Sequence, residues 1–340
     1  MADHFRNNFD FLRFAAAAAI IISHCFALSK GYSLISVDDP TLLFGQLGLA
    51  TLLVISGFLI SQSWERDPDA VRFFWKRGLR IVPGLLASAL FVILFVGPLV
   101  TSLTPDQYIR ALLDPATWAA MPVFKDGTPL GLFLTNPVTF VNAPLWTIPL
   151  EFLLYVIIAV LGLTKLLHKD FSILLLIFCS IGLWLINMDD PTLGKVRFII
   201  YFLIGVFLAL KKDRIPYDWR IAAAMFALLA LAAVTPLRYP AAFVTIPYLV
   251  LYAAQFPVQG LHRFGMYGDF SYGMYIYSYP IEQMIVFFWQ DGRSIPVMCA
   301  LSLILAVFVA FVSWNLLEKR ALGLKNCLKK NDPQPAQVIS

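Results

Sequence analysis

Residues 294–317 read SIPVMCALSLILAVFVAFVSWNLL and contain no charged side chain. A transmembrane helix needs about 20 mostly apolar residues, so this stretch is long enough to cross a bilayer. Nine further apolar runs, each with at most one fixed charge, lie at 12–28, 43–62, 81–100, 144–164, 171–188, 198–210, 221–237, 239–256 and 270–290. The pattern predicts an all-α, polytopic integral membrane bundle of about ten transmembrane helices.

The composition excludes an ordinary soluble globular protein. Hydrophobic residues make up 59% of the 340 positions and charged residues only 14%, against roughly 25% charged in soluble domains. The net charge of +5 does not indicate a nucleic-acid partner, because the basic residues form short clusters between apolar runs. The four cysteines show no CxxC spacing, so no metal site or disulfide framework is expected.

Two regions leave the number of spans open. The run at 198–210 is short for a crossing, and residues 221–256 would form either one kinked element or two helices. The break from Thr235 to Pro240, with two prolines and Arg238, favours two helices. In the long loop at 101–143, Thr104, Pro105 and Gln107 match a helix start with a capping box, which predicts a short surface helix.

The loop charges predict the orientation. Cytoplasmic loops carry the excess of Lys and Arg, and ten spans with the N-terminus inside place 19 of the 26 basic residues in inner loops and 7 in outer loops. Both termini are therefore predicted to be cytoplasmic. Residues 331–340 are polar and predict a disordered cytoplasmic tail.

Three ionisable residues, His24, Glu151 and Glu282, fall within the predicted spans, and Arg13 lies at an inner edge. With a rise of about 1.5 Å per residue, the three lie about 6, 10 and 12 Å below the outer helix ends. At a shared depth, His24 would act as a general base that one carboxylate orients. The alternative is that each residue is locally paired and only helps the helices pack.

Two arginines precede the third span. Arg77 and Arg80 lie at i and i+3, on one helical face, and guanidinium groups there would bind phosphates in a bidentate manner. The alternative is a basic cluster that anchors the topology and contacts anionic lipids. Arg13 and His24 are 11 residues apart, about 16 Å along one helix and on a similar face. Cys25 has no evident base and is not expected to act as a nucleophile.

In combination, these motifs resemble those of the acyltransferase family 3 of membrane acyltransferases. The resemblance covers the first four and last two predicted spans, while the spans between them match only in hydropathy. It rests on Asn8 to Phe14 with Ser23 and His24, Ile55 to Ile60, Phe73 to Arg80 with Pro83, Leu145 to Thr147 with Glu151, and Ser271 to Tyr277.

The resemblance implies that residues 1–330 form a single acyltransferase membrane domain in a bacterial inner membrane. Similar proteins move an acyl group, usually acetyl from cytoplasmic acetyl-CoA, to a hydroxyl of a surface or exported glycan or of a lipid-linked sugar. By the same resemblance His24 is catalytic, Arg13 is its motif partner, and Arg77 and Arg80 bind near the CoA phosphates. No permanently bound cofactor is expected, because acetyl-CoA is a substrate.

Further positions follow from the same resemblance. Ser56, Gly57 and Phe58 would line the acyl passage, although the triplet alone predicts only a close helix contact. Glu151 matches an acidic position, and Tyr272 belongs to the last motif and is expected near the substrates. Glu151 or Glu282 would orient His24.

The sequence departs from the family at two points. Ser278 stands where many relatives carry a second histidine, and Arg320 follows Glu318 and Lys319 where relatives often have proline. No hydrolase-like extracellular domain is expected after the last span. Two other functions remain open: a transporter of acyl groups or glycan intermediates, for which buried ionisable residues are also expected, and a non-catalytic membrane scaffold.

Overall fold

The computed structural model describes residues 7–30, 40–120, 130–187, 193–256, 258, 260–289 and 294–328. The predicted tail at 331–340 lies outside these residues. The described chain is helical, and its one extended pairing is an isolated antiparallel bridge between Thr101 and Leu132. Ten helices of 14 residues or more are described: α1 Phe9–Lys30, α2 Pro40–Arg66, α3 Ala70–Phe91, α4 Thr147–Leu163, α5 Asp170–Ile186, α6 Arg197–Leu210, α7 Trp219–Ala232, α8 Arg238–Gln255, α9 Ser271–Phe288 and α10 Ile295–Ser313.

The ten helices coincide with the ten apolar runs. Five helical stretches are long and apolar enough to cross a membrane: Phe9–Ser29, Leu42–Arg66, Ala70–Val100, Ala143–Leu163 and Ile295–Asn326. Three shorter apolar helices are α5, α6 and α7. The chain is therefore a multi-pass helical membrane protein by length and composition, while ten crossings with both ends inside remain a prediction. The break after Ala232 separates α7 from α8, as the two prolines predicted.

Large apolar side chains cover the outside of the bundle. Phe178 is 68% exposed, Ile304 65% and Phe308 62%, although each lies in the middle of a helix. A monomeric soluble protein rarely exposes large contiguous apolar patches. The lipid bilayer is therefore the medium that this surface fits.

Helices α2 and α6 pack backbone to backbone. A Cβ atom on Gly57 would lie 2.1 Å from the carbonyl oxygen of Phe202, and one on Gly205 would lie 2.4 Å from that of Val54. Only glycine allows such a close approach, and small residues commonly line helix contacts in membranes. Gly57 thus fixes the position of α2 against α6.

Helix α9 lies in the centre of the bundle, and residues 273–283 are all buried. Pro280 lacks the N–H that would bond the carbonyl of Ile276 four residues earlier. Two donors from neighbouring elements replace it: Ser88 Oγ lies 2.9 Å and Asn142 Nδ2 2.8 Å from that carbonyl oxygen. The proline therefore stays inside α9 because other parts of the chain satisfy the freed backbone group.

Residues 136–146 contain no α-helix, end in a 3-10 turn at Ala143–Trp146 and pack along α9; they are called here the inward segment. Near its start, Gln283 Nε2 donates to the carbonyl oxygens of Val138 and Phe140, at 2.8 and 2.6 Å. At its end, the hydroxyls of Thr147 and Tyr275 lie 2.8 Å apart. The segment thus follows α9 from Gln283 back to Tyr275. Helix α4 consequently begins beside the middle of the bundle and not at its outer surface.

The surface helix predicted after Thr104 is present as Pro105–Leu113, and its capping box between Thr104 and Gln107 is formed. Tyr108 anchors it, because its hydroxyl donates to the carbonyl oxygen of Ile93 at 2.7 Å. That carbonyl lies in a π-helical turn, Val92–Val96, that continues α3.

Candidate active site

Helices α1 and α9 run in the same direction. Arg13, near the start of α1, lies 3.3 Å from Asp269, which immediately precedes α9. Eleven residues further along α1, His24 meets Glu282, which lies thirteen residues beyond Asp269. The polar side chains consequently form two groups about 16 Å apart along α1.

The first group is the histidine pair, His24 and Glu282. Nδ1 of His24 lies 3.5 Å from Oε2 of Glu282, whose side chain is fully buried, while that of His24 is 17% exposed. Nδ1 of His24 and both carboxylate oxygens of Glu282 are buried and make no hydrogen bond within the described residues. The carboxyl group faces an imidazole nitrogen, so it can orient the ring and stabilise the cation that forms when the ring accepts a proton.

Tyr279 limits how the imidazole can turn. Its ring packs edge-on against His24, with 5.2 Å between the ring centroids and an interplanar angle of 83°. The next residue, Cys25, is buried, and its Sγ lies 3.5 Å from Ser302 Oγ of α10. The imidazole itself is held between Glu282 and Tyr279, as a general base must be to accept a proton from a defined position.

The second group is the arginine cluster, formed by Arg13, Arg77, Arg80 and Asp269. Oδ2 of Asp269 lies 2.5 Å from Nη2 of Arg80 and 3.3 Å from Nη1 of Arg13. Its Oδ1 accepts a hydrogen bond from Ser271 Oγ at 2.5 Å. Burial by itself raises the pKa of Asp269, but the charges of Arg80 and Arg13 together with the hydrogen bonds from Ser271 outweigh it and lower the pKa below its ordinary value.

Arg77 differs from Arg80 in its partners. Its Nη2 donates to Ser63 Oγ at 3.1 Å, and its guanidinium lies 5.8 Å from the ring centre of Phe73. Its buried Nε has no hydrogen-bond partner in the described part of the chain. Arg77 is therefore a buried cation that is only partly satisfied.

A cavity of about 140 Å³ opens beside the arginine cluster. Six residues singled out in the sequence line it: Arg13, Ser56, Arg77, Arg80, Glu151 and Tyr272. The hydroxyl of Tyr272 donates to the carbonyl oxygen of Ile81 at 2.7 Å, while its ring lies under Arg80, 5.7 Å from the guanidinium carbon. The structure thus brings both motif arginines, Arg13 and one residue of the Ser56 triplet to one space.

Glu151 lies in this cavity and not at the depth of His24. Its carboxylate accepts a hydrogen bond from Tyr155, four residues later in α4. The expectation of one depth for His24, Glu151 and Glu282 is wrong for Glu151. It assumed that α4 starts at the outer surface, whereas the inward segment carries that start into the bundle.

The other two residues of the Ser56 triplet face elsewhere. Gly57 contacts α6, and the ring of Phe58 packs 5.6 Å from that of Phe9. Ser278, which stands at the position of the second family histidine, is fully buried in α9. Within the described ranges, no group of three or more His, Cys, Asp or Glu side chains is placed to hold a metal ion.

Asp269 belongs to none of the motifs that the sequence shows. It lies in a loop, two residues before the Ser271 to Tyr277 motif. Hydropathy predicts a depth in the membrane only for residues within a span, so it predicts none for Asp269. One observation could have pointed to Asp269: buried arginines need a counter-ion, since buried charges in proteins are normally paired.

Comparison with known proteins gives one family match and two relatives. The family model described as acyltransferase domain matches residues 6–315. An O-acetyl transferase of Shigella phage Sf6 is 26% identical over 339 residues, covering 94% of this chain and 97% of the relative. Nodulation protein 10 of Rhizobium leguminosarum bv. viciae is 26% identical over 359 residues, covering 95% of each chain. No solved structure matches.

Proposed function

Because this chain belongs to the acyltransferase family that its residues 6–315 match, we propose that it is a membrane O-acetyltransferase. It transfers an acetyl group from cytoplasmic acetyl-CoA to a hydroxyl of a cell-surface or exported glycan, in a bacterial inner membrane. The name of the phage relative supports the O-acetyl group. The observation that carries the proposal is the arginine cluster and the histidine pair at two levels of the parallel helices α1 and α9.

The donor binds at the arginine cluster. The basic loops support a cytoplasmic position for this end of α1, where CoA would present its phosphates. Guanidinium groups bind phosphates in a planar, bidentate manner, which explains arginine in place of lysine. The cavity beside Ser56 and Tyr272 receives the arm that carries the thioester towards His24.

The reaction takes place at the histidine pair. His24 removes the proton from the acceptor hydroxyl while the hydroxyl oxygen attacks the thioester carbonyl carbon. The carbon–sulfur bond breaks, the acetyl ester forms, and the proton passes from the imidazolium to the CoA thiolate. Glu282 stabilises the imidazolium, since its carboxylate faces Nδ1 at 3.5 Å. Glu151, beside the arginines, takes part at the donor end.

Purified protein in lipid nanodiscs tests the proposal. Glycan from a strain that lacks the gene serves as acceptor, ¹³C-acetyl-CoA as donor, and the His24→Gln variant as control. We expect CoA release that depends on the glycan and a ¹³C-acetyl ester signal on a sugar carbon by NMR. CoA release at the same rate without acceptor, or an unlabelled glycan after complete CoA release, would contradict an O-acetyltransferase.

A further inference from the structure

Three arginines converge on the cavity, but only two share a counter-ion. We propose that Asp269 is a positioning residue that holds Arg13 and Arg80, and that Arg77 is the arginine that binds the anionic part of the donor. This inference rests on the proposed function, because it assigns the residues that the donor contacts.

Asp269 is saturated by its neighbours. One of its oxygens lies within 3.3 Å of guanidinium nitrogens from both Arg13 and Arg80, and the other accepts from Ser271. The side chains of Arg13, Arg80 and Asp269 are 24%, 22% and 17% exposed, so water screens their charges only in part. This one carboxylate therefore joins the start of α1, helix α3 and the start of α9.

Arg80 is enclosed on its other faces. Its guanidinium carbon lies 5.7 Å from the ring centre of Tyr272 and 6.0 Å from that of Trp314. A phosphate bound to Arg80 would have to displace Asp269 from a 2.5 Å contact and would meet the negative charge of that carboxylate. Arg80 is thus a poor partner for an incoming anion.

Among the residues that the structure describes, Arg77, unlike Arg80, has a buried hydrogen-bond donor without a partner and no ion pair. No carboxylate forms an ion pair with Arg77 in the described residues, although Glu151 lines the same cavity, and the Nε of Arg77 is buried without a partner. A phosphate that accepts from Arg77 would satisfy this donor, and charge-assisted hydrogen bonds of that kind are the strong ones. Arg77 and Arg80, three residues apart on α3, therefore have different roles: Arg77 binds the donor anion and Arg80 pairs with Asp269.

Binding of CoA to the full-length protein in nanodiscs, measured by calorimetry, tests the assignment. We expect Arg77→Gln to raise the Kd for CoA about ten-fold or more, since a charged hydrogen-bond partner is lost. Asp269→Asn leaves Arg80 without its ion-pair partner and leaves Arg13 with Asp10 alone, at 3.4 Å, so the cavity becomes more positive. The Kd for CoA should therefore stay unchanged or fall while kcat drops. Arg320→Gln, which removes an exposed arginine outside the cluster, is the matched control and should bind like wild type.

The contact of Asp269 with Arg13 and Arg80 is called here the clamp. Thermal unfolding of the same proteins tests whether it stabilises the fold. Asp269→Asn and Arg80→Gln should each lower Tm, and the double variant should lose less than the sum, because the two changes remove one interaction. Asp269→Glu should recover part of both Tm and kcat. Arg77→Gln combined with Asp269→Asn should be additive in Tm.

Each result has a defined reading. Wild-type-like CoA binding by Arg77→Gln, or a weakening by Asp269→Asn as large as that by Arg77→Gln, overturns the division of roles. Additive losses of Tm for Asp269 and Arg80 overturn the clamp. Wild-type protein that does not bind CoA overturns the CoA donor of the proposed function and the role of Arg77 together, whereas the unfolding cycle still decides the clamp by itself.

Discussion

The imidazole Nδ1 of His24 lies 3.5 Å from Oε2 of Glu282, across the contact between two helices that run in the same direction. These residues are separated by 258 positions in the sequence, and Glu282 is the one carboxylic acid in α9. The pairing satisfies neither oxygen of Glu282 at hydrogen-bond distance. Both oxygens of Glu282 therefore remain acceptors that can stabilise a positive charge on the imidazole.

Replacing His24 should abolish transfer and spare donor binding. A positioned general base contributes about 10²- to 10⁴-fold, and His24→Gln keeps a hydrogen-bonding side chain that cannot accept a proton at neutral pH. The measurement is acetylated product at saturating acetyl-CoA, with CoA binding as the control for folding. Near-normal turnover by His24→Gln would return His24 to a role in helix packing.

Glu282 and Glu151 should give different kinetic effects, because they lie in different groups. Glu282→Gln removes the charge beside His24, so we expect kcat to fall about 10- to 100-fold with little change in the KM for acetyl-CoA. Glu151→Gln removes a negative charge near Arg77, so we expect a lower KM and a milder effect on kcat. Steady-state kinetics of both variants measure the two constants. Equal losses of kcat would place both carboxylates at the same step.

The inward segment should depend on Gln283. This side chain is fully buried, donates to Val138 and Phe140, and accepts from Asn136 at 2.8 Å. Gln283→Leu keeps the volume but leaves these groups unpaired, at about 1–3 kcal/mol for each. We expect a clearly lower Tm and faster proteolysis within residues 136–146.

The matched control for Gln283 is Asn315→Ala. Asn315 also donates to a backbone carbonyl, that of Phe311 at 2.8 Å, but this bond is exposed to solvent or lipid. Its loss should change Tm little, since the freed carbonyl is not buried. A Gln283→Leu protein as stable as Asn315→Ala would show that the inward segment is held by packing alone.

Asp67 gives a pH dependence outside the spans. Arg72 and Lys76 each contact its carboxylate at 2.6 Å, and these hydrogen bonds lower its pKa from 3.8 to about 2. A depressed pKa in the folded state adds stability above the unfolded pKa, and this contribution disappears as pH falls from about 4 to 2. Wild type should exceed Asp67→Asn in Tm at pH 6, and the difference should shrink by pH 3. A constant difference would contradict the titration of Asp67.

The orientation is tested by labelling in intact cells. In a background with Cys327→Ser, an impermeant thiol reagent should fail to label Ser340→Cys and should label Thr104→Cys, because 19 of the 26 basic residues then lie inside. Membrane permeabilisation should expose both sites. Labelling of position 340 before permeabilisation would reverse the predicted topology.

The helices were predictable because hydropathy is a local property. All ten runs fall on helices, and the turn chemistry at Thr104 and at Pro236 and Pro240 fixes the boundaries that it predicted. Ser56 and Tyr272, which their motifs singled out, both line the cavity beside the arginine cluster. These features depend on short stretches of sequence, which is why the sequence alone suffices for them.

The remaining features depend on contacts between distant parts of the chain. The depth of Glu151 was wrong because hydropathy cannot show that residues 136–146 enter the bundle. Asp269 was missed because its partners, Arg13 and Arg80, are 256 and 189 positions away. The direction in which Gly57 and Phe58 point was open, since periodicity gives the face of a helix but not the neighbour that covers it.

The inward segment also has a consequence for how the protein is made. Val138 leaves the ribosome 145 residues before Gln283, its hydrogen-bond partner. At a synthesis rate of about 5–20 residues per second, roughly 7 to 30 s pass before that partner exists. Until then the carbonyls of Val138 and Phe140 must remain hydrated outside the hydrocarbon core. Docking of the segment, and with it the final depth of Glu151, is therefore a late event that follows insertion of α9.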